Sequence, residues 1–272
     1  MNDPHVEKLY YDLSVDSETL EFKDPAPISG SEQEFDWTLA DGVFEAEMRT
    51  HYSNVSEARQ PVDALLDSYV MYHELHNQGG FSFLYRDAKI IDQDSPPVEP
   101  GSVRVITARA TATGVSGGSV HATVVRHAYP IPPDDFYIDP DVRSMWHRYQ
   151  MYLAGQDQLN SMVYFCLTVL ECATGEDQNA REKAAQMCGI STTVLQKVGK
   201  ISNQVGTDVT ARKAKGKRKH DHDRPHTAEE CRFMEEVVKQ MIERMAYRAA
   251  IGWAPEPRLT LDDLPRGTGL LA

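Results

Sequence analysis

The stretch that constrains the architecture most is REKAAQMCGISTTVLQKVGK, residues 181–200. Small and apolar residues recur at helical spacing on both sides of Gly189. Glycine is the residue type that a tight turn between two helices favours, because it adopts left-handed backbone angles without a steric penalty. Ser191 follows the turn and is a natural N-cap for a second helix. The stretch therefore predicts two helices joined at a glycine turn.

The flanking sequence extends this helical pattern. Residues 142–153 predict one helix, and a second is predicted to run from a cap at Asp157 to about Ala173. A last helix begins at Thr227, where Glu230 completes a capping-box pattern. We therefore expect an all-α module over residues 134–252, followed by a proline- and glycine-containing extended tail over residues 253–272.

The first half of the chain has the opposite character. Apolar residues alternate over 35–39, with a hairpin partner expected over 43–52, and further strands are expected within 10–22, 81–86 and 89–91. A hairpin is expected from 103–113 and 120–129, whereas prolines predict a loop over 24–31. One amphipathic helix begins near Ser56 and ends at the Gly79-Gly80 pair. Together with a proline-rich boundary at residues 130–135, this predicts an α+β protein, with a β-rich module over residues 1–133.

Composition narrows the classes of function. The formal net charge of −13 disfavours broad affinity for nucleic acid or acidic membranes. No apolar run is long enough to span a membrane, and the N-terminus lacks the pattern of a signal peptide, so a cytoplasmic protein is expected. None of the four cysteines forms a CxxC pair, which predicts buried thiols without a role in metal binding.

The spacing Ala185–Gly189–Leu195–Val198 resembles the helix-turn-helix of many bacterial repressors. The resemblance covers about twenty residues of the chain, and it implies that Leu195 and Val198 face inward. It also implies a set of outward-facing residues that would contact base edges and phosphates. These residues are Thr192, Thr193, Gln196, Lys197 and Lys200.

A basic run follows this segment, because six of the ten residues over 211–220 are Lys or Arg. They are Arg212, Lys213, Lys215, Lys217, Arg218 and Lys219. Such a run could neutralise phosphates and give salt-sensitive, sequence-independent attachment to nucleic acid. It could equally be a solvated loop, or pair with acidic groups of this protein or of a partner. Both readings stay open.

Histidines near residues 220–226 suggest two further hypotheses. They could ligate a metal, but no distant ligand set completes a geometry, so we expect surface histidines and no metal. Arg218 with His222 or His226 resembles the Arg and His of HEPN-type ribonucleases, although neither spacing equals the usual one. The sequence has no P-loop and no GxSxG motif, and it predicts no catalytic residue or cofactor.

These observations predict a non-enzymatic binding protein that contacts double-stranded DNA or RNA through residues 184–219. The N-terminal module would sense a ligand or hold a protein partner. One alternative is a protein-interaction or scaffold component without a role in nucleic-acid binding. The other is a HEPN-like ribonuclease.

Overall fold

A computed structural model describes residues 4–15, 20–76, 80–91, 123–131, 133–175, 178–204 and 224–265. The chain divides into two compact units, an N-terminal one (Met1–Val70 and Gln78–Ile131) and a C-terminal one (Met71–Asn77 and Pro132–Ala272). The described strands lie in the first unit, and five of the six described α-helices lie in the second, so the predicted α+β class is confirmed. None of the described helices is long and apolar enough to cross a membrane.

The N-terminal unit contains seven described strands. They are β1 (His5–Val15), β2 (Leu20–Ala26), β3 (Ile28–Ser31), β4 (Phe35–Ala40), β5 (Val43–Met48), β6 (Phe81–Ile91) and β7 (Val124–Ala128). Five form an antiparallel sheet in the order β3-β4-β5-β1-β6, while β2 and β7 pair in parallel. Within the five-stranded sheet, the first and last strands along the chain, β1 and β6, are therefore hydrogen-bonded neighbours.

The hairpin of β4 and β5 confirms the prediction made from alternating residues. Phe35, Trp37 and Leu39 are buried, and Ala40 pairs with Val43. Asp41 and Gly42 lie between the paired ends with φ of 50° and 74°. Two consecutive left-handed residues are what a two-residue hairpin turn requires, and Asp-Gly supplies them at low cost.

The predicted loop over residues 24–31 is wrong, because the segment is strand on both sides of Pro27. Pro25 lies where the pairing of β2 with β7 shifts register, between Phe22 and Ala26. A proline removes a backbone donor, and it is tolerated where the ladder is already interrupted. The two strands expected over 81–91 are likewise one unbroken strand, β6. The first arm of the second predicted hairpin, residues 103–113, lies outside the described residues.

The helix of the N-terminal unit, α1 (Val55–Leu75), confirms the prediction of an amphipathic helix. Its buried side includes Val62, Leu66 and Tyr69, which belong to the same core as the sheet residues. The hydroxyl of Tyr11 on β1 donates a hydrogen bond of 2.7 Å to Asp63, whose other oxygen accepts from Arg59 at 3.1 Å. This network fixes α1 against β1 in addition to the apolar contacts.

The C-terminal unit is built from α2 (Pro140–Leu153), α3 (Leu159–Cys172), α4 (Ala180–Met187), α5 (Thr192–Gln204) and α6 (Ala228–Ile251). The apolar helix α3 packs against the other four. The capping box predicted at Thr227 and Glu230 is confirmed. The N-cap of α3 is Gln158 and not the predicted Asp157. One carboxylate oxygen of Asp157 accepts a hydrogen bond of 2.8 Å from the Gln158 amide, and the other forms an ion pair of 2.7 Å with Arg148.

Residues 253–265, which we call the C-terminal strap, follow the left-handed Gly252 at the end of α6. The sequence predicts an extended tail here, and the backbone is indeed irregular apart from a 3-10 turn at Leu261–Asp263. Leu259 and Leu264 are nevertheless buried in the core of the C-terminal unit. The strap is therefore a packed part of this unit.

The stacked pair of Trp37 and Phe44 gives a test of the sheet core. Their ring centroids lie 5.5 Å apart, and Phe44 is fully buried. Phe44→Ala should lower the free energy of unfolding by about 3–5 kcal/mol, because it leaves a cavity. Leu84→Ala on β6, at a side chain that is 57% exposed, should cost little. Urea unfolding of both variants measures the difference, and equal effects would contradict this assignment of the core.

Candidate nucleic-acid interface

The segment that resembles a helix-turn-helix is formed by α4, a short turn and α5. Gly189 occupies the turn with φ of 61°, a left-handed value. Ala185, Ile190, Leu195 and Val198 are fully buried. Each apolar position that the pattern assigns to the interior therefore faces the core.

The outward positions of α5 divide into two groups. Thr193, Gln196 and Lys200 are exposed, whereas Thr192 and Lys197 are half-buried. Residues at i, i+3 and i+7 lie along one side of a helix. We call the stripe of Thr193, Gln196 and Lys200 the outer face of α5. It carries an amide, a cation and a hydroxyl, and the hydroxyl of Thr193 is hydrogen-bonded to that of Ser191 at 2.6 Å.

The C-terminal strap lies directly against the turn. The amide of Leu259 donates to the carbonyl of Gly189 at 2.8 Å, and the amide of Ser191 donates to the carbonyl of Leu259, also at 2.8 Å. These two bonds make a short parallel bridge between Leu259 of the strap and Ile190 of the turn. The backbone amide of Ser191 is therefore already bonded and is not open to a phosphate.

Arg244 of α6 holds the strap and the turn together. One guanidinium nitrogen donates to the carbonyls of Gly189 at 3.0 Å and Pro255 at 3.2 Å, and the other donates to Pro257 at 2.8 Å. Arg258 of the strap adds bonds of 3.2 and 3.3 Å to the carbonyl of Ile190. Charged donors strengthen hydrogen bonds to carbonyls, so this cluster fixes the position of the turn.

A second glycine, Gly199, lies within α5. A glycine inside a helix costs about 1 kcal/mol relative to alanine. Here a Cβ atom would lie 3.0 Å from the guanidinium of Arg181, which pairs with Glu171 at 2.7 Å. Gly199 therefore leaves space for an arginine of α4 to cross α5 and reach α3.

The basic run over residues 211–220, with Arg212, Lys213, Lys215, Lys217, Arg218 and Lys219, lies outside the described residues, as does His222. His226 is described, and its side chain is only 8% exposed. Neither ring nitrogen has a hydrogen-bond partner among the described residues. Burial lowers its pKa, so the imidazole is neutral at pH 7.

Beside His226, Arg224 forms two hydrogen bonds of 2.7 Å with the fully buried carboxylate of Glu230. Arg224 and the amide of Thr227 hold the pKa of Glu230 below its usual value. The acid therefore stays charged as the partner of Arg224 and the cap of α6. No group of three or more His, Cys, Asp or Glu side chains suited to a metal occurs in the described part of the chain.

The cysteines follow the prediction only in part. Cys166 and Cys188 are buried, and burial raises the pKa of each thiol to about 12. Cys172, by contrast, is exposed, because it lies at the end of α3, where the helix leaves the core.

Sequence reasoning missed the strap and Arg244. The strap has no helical or strand periodicity, and Arg244 is 55 residues from the carbonyl of Gly189 that it contacts. The local signal was a run of three leucines, Leu259, Leu261 and Leu264, in a proline-containing tail, and the first and last of them are buried.

Comparison with known proteins finds no family model, no curated protein and no solved structure that matches the chain.

The turn can be tested with two glycines that share a left-handed backbone. A Cβ atom at Gly189 would lie 2.4 Å from the carbonyl oxygen of Pro255, whereas one at Gly252 would meet nothing within 4 Å. Gly252→Ala should cost about 1 kcal/mol of stability, from backbone angles alone. Gly189→Ala should cost about 2–4 kcal/mol, because the strap must also move. Chemical unfolding monitored by helical circular dichroism gives both values, and equal costs would rule out a tight strap.

The environment of His226 predicts a loss of stability on acidification. Its pKa in the folded protein lies below the ordinary 6.5, so the unfolded chain takes up the proton first as the pH falls. Stability should therefore decrease below about pH 6.5, and further below pH 4.5 as Glu230, whose pKa is also lowered, is protonated in the unfolded chain. His226→Gln should remove the first decrease and leave the second. Urea unfolding between about pH 7.5 and 3, which covers both decreases, tests this, and an unchanged profile in the variant would refute it.

Proposed function

We propose that this protein is a non-enzymatic binding protein whose C-terminal unit contacts double-stranded nucleic acid through the outer face of α5. The observation that carries the proposal is the combination of a fully buried inner side with the exposed Thr193, Gln196 and Lys200. An amide and a cation on one helix face can reach base edges and phosphates in a major groove. The basic run over 211–220 would add contacts to the flanking phosphates.

The strap limits how such contact is made. Its carboxylates Glu256, Asp262 and Asp263 are exposed, and the neighbouring Leu259 is bonded to the residues that precede α5. The amide of Ser191 is hydrogen-bonded to the carbonyl of Leu259 and cannot donate to a phosphate, and the guanidinium groups of Arg244 and Arg258 are bonded to carbonyls of the turn. We therefore assign binding to side chains from Thr193 onward along α5, with Thr192 and Lys197 as peripheral contacts.

A protein-interaction component is the second candidate. The observation in its favour is Trp253, which is 69% exposed at the start of the strap. Tryptophan is enriched among residues that anchor protein partners. A protein that used Trp253 in this way would bind its partner independently of salt-sensitive contacts at α5.

The ribonuclease hypothesis receives less support. A general base must come within hydrogen-bond reach of its substrate, either directly or through a water molecule. His226 is almost fully buried, and Arg224 beside it is engaged by Glu230. A ribonuclease would then depend on Arg218 and His222, which lie outside the described residues.

Duplex binding separates these functions. Fluorescence anisotropy of labelled duplex DNA and RNA should show affinity that falls steeply as salt rises. Changing Thr193, Gln196 and Lys200 together to alanine should weaken binding by about 10- to 100-fold, because base and phosphate contacts are lost. Changing the six Lys and Arg residues of 212–219 to glutamine should weaken binding of every duplex and also flatten the salt dependence, because phosphate contacts are lost.

The control is Arg143→Ala on α2, which removes one exposed cation from another helix. It should leave affinity almost unchanged. Absence of binding at low salt, or equal loss in the control and the α5 variant, would reject the proposal. Cleavage of the labelled RNA that disappears with His222→Ala would favour the ribonuclease, and salt-independent capture of a protein that requires Trp253 would favour the interaction component.

A further inference from the structure

A cavity of about 600 Å³ lies within the N-terminal unit. Its walls come from the end of β1, from β2, from the turn between β4 and β5, and from Tyr129, which follows β7. This volume falls within the range of small-molecule sites, which is about 300–1,000 Å³. The cavity is thus large enough for a small organic ligand.

Hydrogen bonds hold the walls in place. The hydroxyl of Tyr129 accepts a bond of 2.8 Å from the amide of Gly42, and the amide of Leu13 donates to the carbonyl of Gly42 at 2.8 Å. Three segments that are distant in sequence therefore meet at one glycine. A cavity with tied walls does not need to be ordered by its ligand, so less of the binding free energy is lost.

Part of the lining is apolar and aromatic. Leu13, Val15 and Leu20 supply an apolar surface, and the rings of Phe22 and Tyr129 adjoin with centroids 5.3 Å apart. Apolar and aromatic walls favour a ligand with an apolar body, and aromatic faces also attract cations.

The polar part of the lining is acidic. Glu21, Asp24 and Asp41 are exposed carboxylates at this cavity, and no Lys or Arg is among the described residues that line it. Lys23 lies between two of these acids in sequence but does not line the cavity. The hairpin turn accounts for the left-handed backbone of Asp41. It does not account for three carboxylates around one cavity.

We propose that this cavity binds a small organic cation, an ammonium group carried on an apolar or aromatic body. The body contacts Leu20, Phe22 and Tyr129, while the ammonium group lies at the carboxylates. A neutral ligand could donate hydrogen bonds to the acids but would lack the attraction between opposite charges, and an anion would be repelled by them. The site is independent of α5 and gives the N-terminal unit a ligand-binding role of its own.

Isothermal titration calorimetry of the full chain with phenylethylammonium, phenylethanol and phenylacetate tests the proposal. The three probes share an aromatic body and differ in charge. The cation should bind, with affinity that falls as salt rises, and the neutral and anionic probes should bind at least about tenfold more weakly.

Two variants locate the binding. Asp24→Asn with Asp41→Asn removes two charges, and asparagine accepts the same left-handed backbone, so the fold is kept. It should weaken binding of the cation about tenfold. Val15→Trp should abolish binding by filling the cavity. Glu32→Gln with Asp134→Asn removes the same net charge from residues that do not line the cavity, and it should have no effect.

Any of three other results would contradict the proposal. Equal binding of all three probes would show an apolar site without selection for charge. Cation binding that survives both cavity variants would lie elsewhere on this acidic chain. No binding of any probe to the folded protein would show that the cavity is not a cation site.

Discussion

The carbonyl of Gly189 is the point on which the C-terminal unit depends. It accepts hydrogen bonds from the amide of Leu259 and from the guanidinium of Arg244. The turn between α4 and α5, the last long helix and the strap are therefore fixed to one another at a single peptide group. Glycine is required there for two reasons, since the backbone is left-handed and Pro255 approaches too closely for a side chain.

This constraint shapes what α5 can do. The buried side of the helix and the strap fix its N-terminal end, and among the described residues of α5 the exposed ones are those of the outer face. In many helix-turn-helix proteins the N-terminal end of the second helix reads DNA. Here the amide of Ser191, directly before α5, is already bonded to the strap. Under the proposed function, a nucleic acid would therefore contact side chains further along the helix.

Features encoded by neighbouring residues could be predicted from the sequence. The capping box of α6, the Asp41-Gly42 hairpin and the buried side of α1 each depend on residues a few positions apart. The exposure of Thr193, Gln196 and Lys200 likewise followed from helical spacing. Thr192 and Lys197 were expected to face outward as well, but they are half-buried, because the buried side of α5 is wider than the motif implies.

Features that depend on distant contacts could not be predicted. Asp157 was expected to cap α3, but an arginine one helix earlier pairs with it. The prolines at 25 and 27 suggested a loop, because the sequence does not reveal that strand pairing is interrupted there. The strap and the cavity depend on segments that meet only in the folded unit. Local patterns therefore define the helices and hairpins, whereas tertiary contacts define the strap and the cavity.

The most direct test of the central claim is site-specific photo-crosslinking to duplex DNA. A benzophenone side chain would be introduced at Gln196 on the outer face of α5 and, in a second protein, at exposed His147 on α2. Contact through α5 predicts that the probe at 196 crosslinks to the duplex at low salt, that excess unlabelled duplex competes, and that the probe at 147 does not crosslink. Equal crosslinking from both positions, or none from 196 while the duplex is bound, would contradict the account.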